Sequence, residues 1–230
     1  MKLCGDSSIA ELPLFQGEDG GAIPTSPLQL LLRPVRHDTA FNCYYKWHYL
    51  GGNGFLASFN FGAYFNGEIL GAISYGIPNA RNIKGIYSEK TQSEFFELTR
   101  LALSELCPKF SESRVISVSM KMLKKLNPSL RGVITYADTK QNHTGTIYKA
   151  SNFTYIGLTA QKTDLFVDGK KVGKLKGVKY SEIKGEWRKR SRKHLFVKYF
   201  KGSNPSDRPP LNNQKIALAL TNPQHRTNNR

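Results

Sequence analysis

The sequence feature that most constrains the fold is the near-continuous apolar run RGVITYAD at residues 131–138. A strand without a polar face is typical of the centre of a parallel sheet, where helices cover both faces. The segment before it, SRVISVSMKMLKKL (113–126), is predicted to be a helix with lysines on its outer side. The predicted apolar stripe of this helix consists of Val115, Val118, Met122 and Leu126, with Ile116 and Leu123 beside it. Because FFELTRLAL (95–103) has the pattern of a strand, the stretch predicts a β–α–β unit.

A β-hairpin is the clearest local prediction. The apolar-rich segments 55–65 and 68–76 flank Asn66 and Gly67. The dipeptide Asn-Gly favours a two-residue type I′ turn, because both of its residues must adopt positive φ angles.

The region before the hairpin is predicted to hold a strand and a helix. LQLLLRPV (28–35) is expected to be a strand ended by its proline, and HDTAFNCYYKWHY (37–49) a helix. Asp38 or Thr39 is the expected N-cap. Gly51 and Gly52 are expected to stop the helix.

The remaining elements complete an α/β fold. A loop over 77–93, a short helix over 143–150 and a strand pair at 153–160 and 163–167 are expected. The resulting order predicts a mixed, partly parallel sheet flanked by helices. The predicted division is an irregular N-terminal arm (1–27), the core (28–167), a basic extension (168–201) and a flexible tail (202–230).

The charge of the chain indicates a polyanionic partner. The 230 residues carry 34 Lys and Arg against 17 Asp and Glu, a formal net charge of +17. Residues 162–201 alone hold fourteen of these cations against four acids, with aromatic residues between them. Such an excess favours nucleic acid as the partner, with a merely solvated basic surface as the alternative.

The composition also excludes several classes of protein. Cys4, Cys43 and Cys107 are far apart and form no CxxC or zinc spacing, so neither a disulfide scaffold nor a structural zinc site is expected. No apolar run approaches the ~20 residues of a membrane span. The first residues lack the pattern of a signal peptide. We therefore expect a cytosolic protein with no membrane partner.

Several ordered motifs resemble known families. The end of the predicted short helix, IYKASNF (147–153), places Ile147, Tyr148 and Phe153 as in the GCN5-related N-acetyltransferase (GNAT) superfamily. A more specific resemblance, to the Mom family of phage DNA-modifying proteins, covers about 45–160. It is carried by WHYLGG (47–52), FELTRLAL (96–103), SRVISVSMKMLKK (113–125), ITYAD (134–138) and HTGTIYKASNFTYIG (143–157).

This resemblance implies a function. Mom proteins convert adenine in phage DNA to an N6-carbamoylmethyl (acetamido) form, which protects the DNA from restriction enzymes of the host. The resemblance further implies an acyltransferase-like enzyme in the host cell cytoplasm, with duplex DNA as partner. Acetyl-CoA is the implied donor, and iron a possible metal.

Candidate catalytic residues lie in four of these motifs. Asp138 closes the apolar strand at its carboxyl end, the usual ligand crevice of open α/β sheets, or else caps the following loop. The resemblance gives Tyr148 the role of the acid that protonates a departing thiolate, the alternative being packing on the sheet. Glu97 is either a base or one half of a salt bridge with an arginine such as Arg100. His48 and Tyr49 are the last candidates, at the end of the first helix.

Further residues are expected to bind the donor, the DNA or a metal. The donor candidates are Leu101, Leu103, Ser111, Ser113, Arg114, Asn142 and His143. The stretch FSESRV (110–115) lacks the glycines of the superfamily's pyrophosphate loop, but amides at a helix start and serine hydroxyls can hold phosphates. Trp47 is a candidate for DNA contact because its ring, like that of Tyr49, can stack on a displaced base. The candidates for phosphate contact are Arg188, Lys189, Arg190, Arg192 and Lys193. His48, Asp138 and His143 have the ligand types of a two-histidine, one-carboxylate iron site.

The chemistry limits the donor. Acyl transfer from acetyl-CoA joins adenine N6 to a carbonyl carbon, whereas a carbamoylmethyl group joins N6 to a CH2. The reaction therefore needs a redox metal, a rearrangement or a glycine-derived donor such as a charged tRNA. Two other functions fit the sequence: a non-enzymatic DNA-binding protein on a degenerate acyltransferase fold, and an N-acetyltransferase for a protein or RNA amine.

Overall fold

The computed structural model describes residues 23–52, 54–141, 143–173, 183–201 and 203. Three α-helices lie in this part of the chain: α1 (His37–Trp47), α2 (Ser111–Leu126) and α3 (Thr146–Ala150). Its strands are β1 (Leu31–Pro34), β2 (Phe59–Phe65), β3 (Glu68–Gly76), β4 (Phe95–Leu103), β5 (Gly132–Asp138), β6 (Thr154–Leu158), β7 (Thr163–Val167), β8 (Lys170–Lys171), β9 (Glu186–Lys189) and β10 (Lys193–Tyr199). No helix in the described ranges combines the length and apolar character needed to cross a bilayer.

Seven strands form one sheet in the order β1-β2-β3-β4-β5-β10-β6. Every neighbouring pair is antiparallel except β4 and β5, which are parallel and joined by the crossover helix α2. The predicted α/β fold with a mixed, partly parallel sheet flanked by helices is confirmed.

The helices cover opposite faces of this sheet. On β3, Ile73 packs with Ile116 of α2, whereas the adjacent Ala72 packs with Tyr44 of α1. Successive residues of a strand point to opposite faces, so α1 and α2 lie on opposite sides. Phe95 and Phe96 of β4 also point to opposite faces: Phe96 packs in the cluster under α2, whereas Phe95 packs with the loop around 83–87. This loop therefore lies on the side of α1.

The hairpin is confirmed, with Asn66 at φ +48° and Gly67 at φ +84° between β2 and β3. The details of the helices differ from the predictions. Arg36, and neither Asp38 nor Thr39, is the N-cap of α1, and its side chain makes no capping hydrogen bond. The helix ends at Trp47, before the two glycines expected to stop it.

The stripe predicted for α2 was set at the wrong angle around the helix. Leu126 is exposed, and Val118 and Met122 are only partly buried. The buried face consists of Ser111, Val115, Ile116, Ser119, Met120 and Leu123. The two serines were not counted because they are polar, but both hydroxyls bond to backbone carbonyls and so can be buried.

The strands after α3 also differ from the prediction. The expected partners 153–160 and 163–167 do not pair: β6 pairs with β10, and β7 belongs to a separate sheet in the order β8-β7-β9. The segment 168–201, expected as an extension outside the core, contributes β10 to the main sheet between β5 and β6. The arm at 1–22 and most of the tail at 202–230 lie outside the described residues.

Candidate active site

The site lies where two parallel strands separate. β4 and β5 pair only from Phe95–Gly132 to Leu98–Thr135, although they continue to Leu103 and Asp138. A cavity of about 570 Å³ occupies this opening at their carboxyl ends, where open α/β sheets usually bind ligands. Because the opening passes through the sheet, residues from both faces line the cavity.

A β-bulge in β4 brings two charged residues to the same face. Ser74 of β3 pairs with Arg100, but the next residue, Tyr75, pairs with Leu98, so Thr99 is an extra residue in β4. A regular strand would place Glu97 and Arg100 on opposite faces, since they are three residues apart. With the bulge, both line the cavity.

Glu97 is a partly buried acid whose environment disfavours its charge. Burial raises the pKa of Glu97, and two weaker effects lower it: the hydrogen bond from the Asn79 backbone N–H, at 3.4 Å, and the charge of Lys193. Glu97 and Arg100 therefore both form part of the cavity wall. A salt bridge between them in the core was the alternative expected from the sequence. A carboxylate with a raised pKa in a cleft has the properties of a general base.

Asp138, unlike Glu97, lies in an environment that favours its charged form. Desolvation alone would raise the pKa of Asp138. Hydrogen bonds from the Lys140 N–H (2.9 Å) and the Ser191 hydroxyl, together with the charges of Lys193 and His143, outweigh this effect, so the pKa is lowered. The hydrogen bond from Lys140 is the loop cap considered as the alternative for this residue. Asp138 lines the cavity as a stable carboxylate and is a weaker base than Glu97.

Three aromatic side chains form a continuous wall of the cavity. The ring of His48 stacks on that of Tyr49 at 4.5 Å, and Tyr49 meets His143 edge-on at 5.5 Å. Burial, then Arg100 and His143, lower the pKa of His48 to about 4, so its imidazole is neutral at physiological pH. Its Nδ1 accepts the Leu50 N–H at 3.1 Å, and this assigns the proton to Nε2. His48 is therefore a hydrogen-bond donor to the cavity.

Tyr148 reaches the cavity from the face that α2 covers. Its hydroxyl bonds to the Thr135 side chain, whose own hydroxyl donates to the Leu98 carbonyl at 3.3 Å. Thr135 and Leu98 are the last residues paired between β4 and β5, so Tyr148 marks the apex of the opening. Burial raises the pKa of Tyr148, which keeps the phenol protonated.

The donor candidates fall into two groups. Leu101 and His143 line the cavity, whereas Leu103 packs against the core on the α2 face. At the start of α2, the Ser111 hydroxyl is fully buried and donates to the Pro108 carbonyl at 2.7 Å, so the expectation that it contacts phosphate is wrong. Ser113 and Arg114 lie in the first turn of α2, and Asn142 lies outside the described residues.

The loop before α2 makes its turn without glycine. Phe110 adopts φ +71°, a left-handed conformation that side chains other than glycine rarely take, and its ring is exposed. Phe110 is the N-cap of α2 and makes no side-chain capping bond. The Ser111 N–H donates to the Pro108 carbonyl at 3.2 Å, so the amides of Glu112 and Ser113 are those left without a capping side chain in the first turn of α2.

The basic residues near the carboxyl end of the described chain are mostly engaged within the protein. Arg188 bonds to Glu186 at 2.6 Å and Arg190 pairs with Asp164. Arg192 Nε donates to the Thr159 carbonyl at 2.8 Å. Two lysines are exposed: Lys189 on β9 and Lys193, which lines the cavity. DNA contact stays a prediction for all five basic residues.

Trp47 and Tyr49 differ in their access to the cavity. Trp47 packs against the apolar cluster under α1, and the Lys46 ammonium lies 4.8 Å from its ring centre. Tyr49 is half exposed and lines the cavity. Of these two rings, Tyr49 is the one positioned to stack on a base.

The expected iron site is not supported. Within the described ranges, no group of three or more His, Cys, Asp and Glu side chains is arranged to hold a metal ion. His48 Nδ1 and one Asp138 oxygen already accept backbone N–H groups, from Leu50 and Lys140.

Sequence reasoning missed several residues of the site, and two of them bear directly on the proposed catalytic groups. Thr135 at the apex is one, hidden within an apolar run that gave no sign of its hydrogen bonds. Lys193 is the other, since it was assigned to phosphate contact as part of a basic run. Its place in the cavity follows from the pairing of β10 with β5, a long-range contact without a local sequence signal.

Comparison with known proteins identifies the family. The model of the Mom protein family matches residues 29–201, so this chain belongs to the Mom protein family, as its motifs indicated. It is similar to the methylcarbamoylase mom of Escherichia phage Mu, with 32% identity over 97 residues. That match covers 42% of this chain and 40% of the Mu protein, well under half the length of either.

Solved acetyltransferase structures are similar over a larger part of the chain but at low identity. A Bacillus subtilis acetyltransferase in complex with CoA is 10% identical with a TM-score of 0.47, covering 74% of this chain and 99% of that one. An acetyltransferase of the GNAT family from Streptococcus pneumoniae is 13% identical with a TM-score of 0.44, at the same coverage. Similarity at this level bears on neither the activity nor the ligands of the chain.

Proposed function

We propose that this chain is a phage DNA-modifying transferase that converts adenine in duplex DNA to its N6-carbamoylmethyl form and so protects the DNA from restriction enzymes. The observation that supports this most is the opening between β4 and β5, where Glu97 from the α1 face and Tyr148 from the α2 face line one cavity. Transfer between two substrates needs such access, because the acceptor and the carrier of the transferred group must both reach the reacting carbon. Membership of the Mom family and the methylcarbamoylase name of the Mu relative support this choice of substrate and transferred group.

The acceptor adenine enters from the α1 face. Tyr49 offers a ring on which the base stacks, next to the His48 Nε2–H, which can donate to a purine ring nitrogen. N6 is a poor nucleophile because its lone pair is delocalised into the ring. Glu97, with its raised pKa, takes the N6 proton as N6 attacks the donor.

The donor approaches from the α2 face. Tyr148 protonates the leaving group, since its phenol stays protonated at the apex of the opening. The uncapped first turn of α2, together with the Ser113 hydroxyl, holds phosphate groups of the donor. Leu101 also lines the cavity. A CoA thioester and the 3′ end of a charged tRNA both carry an acyl group and phosphates of this kind.

Atom balance favours a glycyl group over an acetyl group. Attack of N6 on the carbonyl carbon of a glycyl donor releases the carrier and leaves N6–CO–CH2–NH2. The glycyl amine then attacks adenine C6 through a five-membered ring, and the bond from C6 to the original N6 breaks. The product carries N–CH2–CO–NH2 on C6, the carbamoylmethyl form, and no oxidant is needed. An acetyl donor would require both a nitrogen source and oxidation of its methyl carbon.

The target base must leave the duplex before it reaches this cavity. Flipping a base costs a few kcal/mol, and phosphate contacts offset that cost. Lys193 at the cavity and the exposed Lys189 on β9 are candidates for these contacts.

Mass spectrometry of nucleosides from the DNA of cells that express the chain tests the proposal. The wild type should produce a new adenine species with the mass of the carbamoylmethyl form. Glu97→Gln should lower its yield by about 10²- to 10⁴-fold, the usual contribution of a general base. Glu94→Gln is the matched control, because Glu94 pairs with Arg131 at 3.2 Å outside the cavity.

Each possible result has a distinct meaning. Absence of any new adenine species with the wild type would rule out the proposed substrate. A Glu97→Gln variant as active as the wild type would remove the proposed base. Protection of DNA without modification would favour the non-enzymatic binding protein.

A further inference from the structure

The mouth of the cavity has an apolar rim. Four large apolar side chains that line the cavity are also exposed: Tyr49, Leu50, Leu56 and Ile77. Leu56 is 82% exposed and Ile77 is 64% exposed. Single exposed leucines are common on protein surfaces, but a group of large apolar residues around one opening indicates a binding surface.

The backbone that carries Leu56 is held firmly on both sides. The preceding residue, Phe55, is buried and stacks on His37 at 4.4 Å. On the other side, the Ser58 N–H donates to the Tyr75 carbonyl at 2.7 Å. Leu56 itself lies so close to Gly76 that a Cβ on that glycine would be 2.5 Å from the Leu56 carbonyl oxygen. The leucine side chain is therefore presented to solvent from a fixed position.

Ile77 is placed beside it by the sheet. Gly76 is the last residue of β3 and pairs with Glu97, so Ile77 leaves the sheet next to the proposed base. Lys193 enters the cavity from β10, on the other side of the β4–β5 opening in the strand order. One side of the mouth is thus apolar and the other is basic.

We propose that Leu56, supported by Ile77, is a wedge that enters the base stack of duplex DNA and fills the gap left by the flipped adenine. This inference rests on the proposed function, since it takes DNA as the substrate. A base that leaves the stack exposes the apolar faces of its neighbours, and leucine and isoleucine wedges cover such faces in proteins that open or kink DNA. Because the backbone that carries Leu56 is already held in the free protein, little backbone freedom is lost when the side chain inserts.

The charge around the rim favours DNA as the occupant. The net charge of +17 attracts a polyanion. On the basic side of the mouth, Lys193 can contact a phosphate of the strand whose base enters the cavity. An apolar wedge beside a phosphate contact matches a duplex, in which stacked bases and charged backbone lie a few ångströms apart.

The test compares two substrates that contain the same target adenine. In one the adenine is paired in a duplex, and in the other it lies in a single strand, where no base has to be displaced. Leu56→Ala should reduce the rate on the duplex by about tenfold, because the variant cannot stabilise the opened stack, and leave the rate on the single strand within about twofold of wild type. Leu28→Ala is the matched control: Leu28 is 70% exposed and lies at the edge of the sheet before β1.

A second measurement does not depend on catalysis. Duplex DNA with 2-aminopurine in place of the target adenine gains fluorescence when that base leaves the stack. Wild type and Leu28→Ala should raise the fluorescence, and Leu56→Ala should fail to do so at saturating protein.

Three results would overturn the wedge. Equal losses on both substrates would make Leu56 a contact of the base or donor in the cavity. Unchanged duplex activity and fluorescence would leave Leu56 without a role in opening. A change in the sedimentation coefficient of Leu56→Ala would assign the rim to contact between copies of the chain. Wild-type protein that modifies neither substrate but still raises the fluorescence would contradict the proposed chemistry and support the wedge.

Discussion

Lys193 of β10 and Asp138 of β5 are direct cross-strand partners, and both line the cavity. Lys193 also acts on Glu97 and lowers the pKa of both carboxyls. A residue at the end of a basic run thereby favours the charged form of the proposed base. Its effect is opposed by burial, which raises the pKa of Glu97.

The first prediction follows from this opposition. Glu97 works as a base only when ionised, so the rate should fall as the pH drops through its pKa. Lys193→Met removes the charge that lowers this pKa and leaves the burial that raises it. The acid limb of the pH–rate profile for kcat/KM should therefore move to higher pH.

The control for this prediction is Lys125→Met, at an exposed lysine near the end of α2. It removes the same charge from the chain and should leave the midpoint of the acid limb in place. If Lys193 only bound phosphate, its loss would raise KM for DNA without moving the midpoint, and this result would contradict the electrostatic role.

A second prediction concerns stability. Burial, Arg100 and His143 lower the pKa of His48 from 6.5 to about 4. The unfolded state therefore binds more protons than the folded state between these values, so this contribution is fully present above the unfolded pKa and is lost as the pH falls from 6.5 towards 4. For His48 alone, the loss in the free energy of unfolding between about pH 7 and pH 5 is about 2 kcal/mol.

Urea unfolding of the wild type and His48→Asn at both pH values measures this contribution. The asparagine side-chain oxygen can still accept the Leu50 N–H that His48 Nδ1 accepts. The variant should lose about 2 kcal/mol less than the wild type on acidification. Equal losses in the two proteins would show that His48 is already solvated in the folded state.

A third prediction tests how α3 is positioned. Gly145 precedes α3 at φ +73°, and a Cβ there would lie within 2.5 Å of the buried Phe196 ring. Gly169 has nearly the same φ, +74°, with nothing within 4 Å of an added Cβ. Gly169→Ala should cost about 1 kcal/mol for the backbone alone. Gly145→Ala should cost about 3 kcal/mol, because the clash with Phe196 is added.

Urea unfolding of both variants separates the two terms. Gly145→Ala should also reduce modification activity, because Gly145 links His143 to the helix that carries Tyr148. Similar destabilisation by the two substitutions would mean that Phe196 moves aside without cost.

The sequence was most informative where structure is local. The hairpin turn at Asn66–Gly67 and the bounds of β4 at 95–103 were predicted from residue pattern and turn chemistry alone. The position of Asp138 at a ligand-binding crevice was also expected, and this residue lines the cavity. This expectation follows from the general rule that ligands bind at the carboxyl ends of sheet strands.

The features that could not be predicted from the sequence depend on pairing between strands that are distant in the chain. KHLFVKY (193–199) was taken as part of a basic run, yet it is a central strand, because the open edges of β5 and β6 both pair with it. The bulge at Thr99 depends on the register between β3 and β4 and has no residue signature in this chain. These two features decide which charges reach the cavity: Lys193 from β10, and Glu97 with Arg100 from β4.

The last prediction follows from the proposed rearrangement of a glycyl group. In that route the original exocyclic nitrogen of adenine becomes the terminal amide nitrogen, and the glycine nitrogen becomes the new N6. DNA labelled with ¹⁵N at adenine N6 should therefore give a modified nucleoside that loses the label when the side-chain amide is hydrolysed to the acid and ammonia is released. Glycine labelled with ¹⁵N, supplied to expressing cells, also labels a ring nitrogen of all new purines. The modified nucleoside should therefore carry one more ¹⁵N than the unmodified nucleoside from the same digest, and this additional label should stay on the purine after hydrolysis. Unmodified adenine from the same digest is the control for exchange of the label. Retention of the original ¹⁵N on the purine after hydrolysis would show that N6 is alkylated directly at the CH2 carbon, and Glu97 and Tyr148 would then serve a displacement at that carbon instead of an acyl transfer.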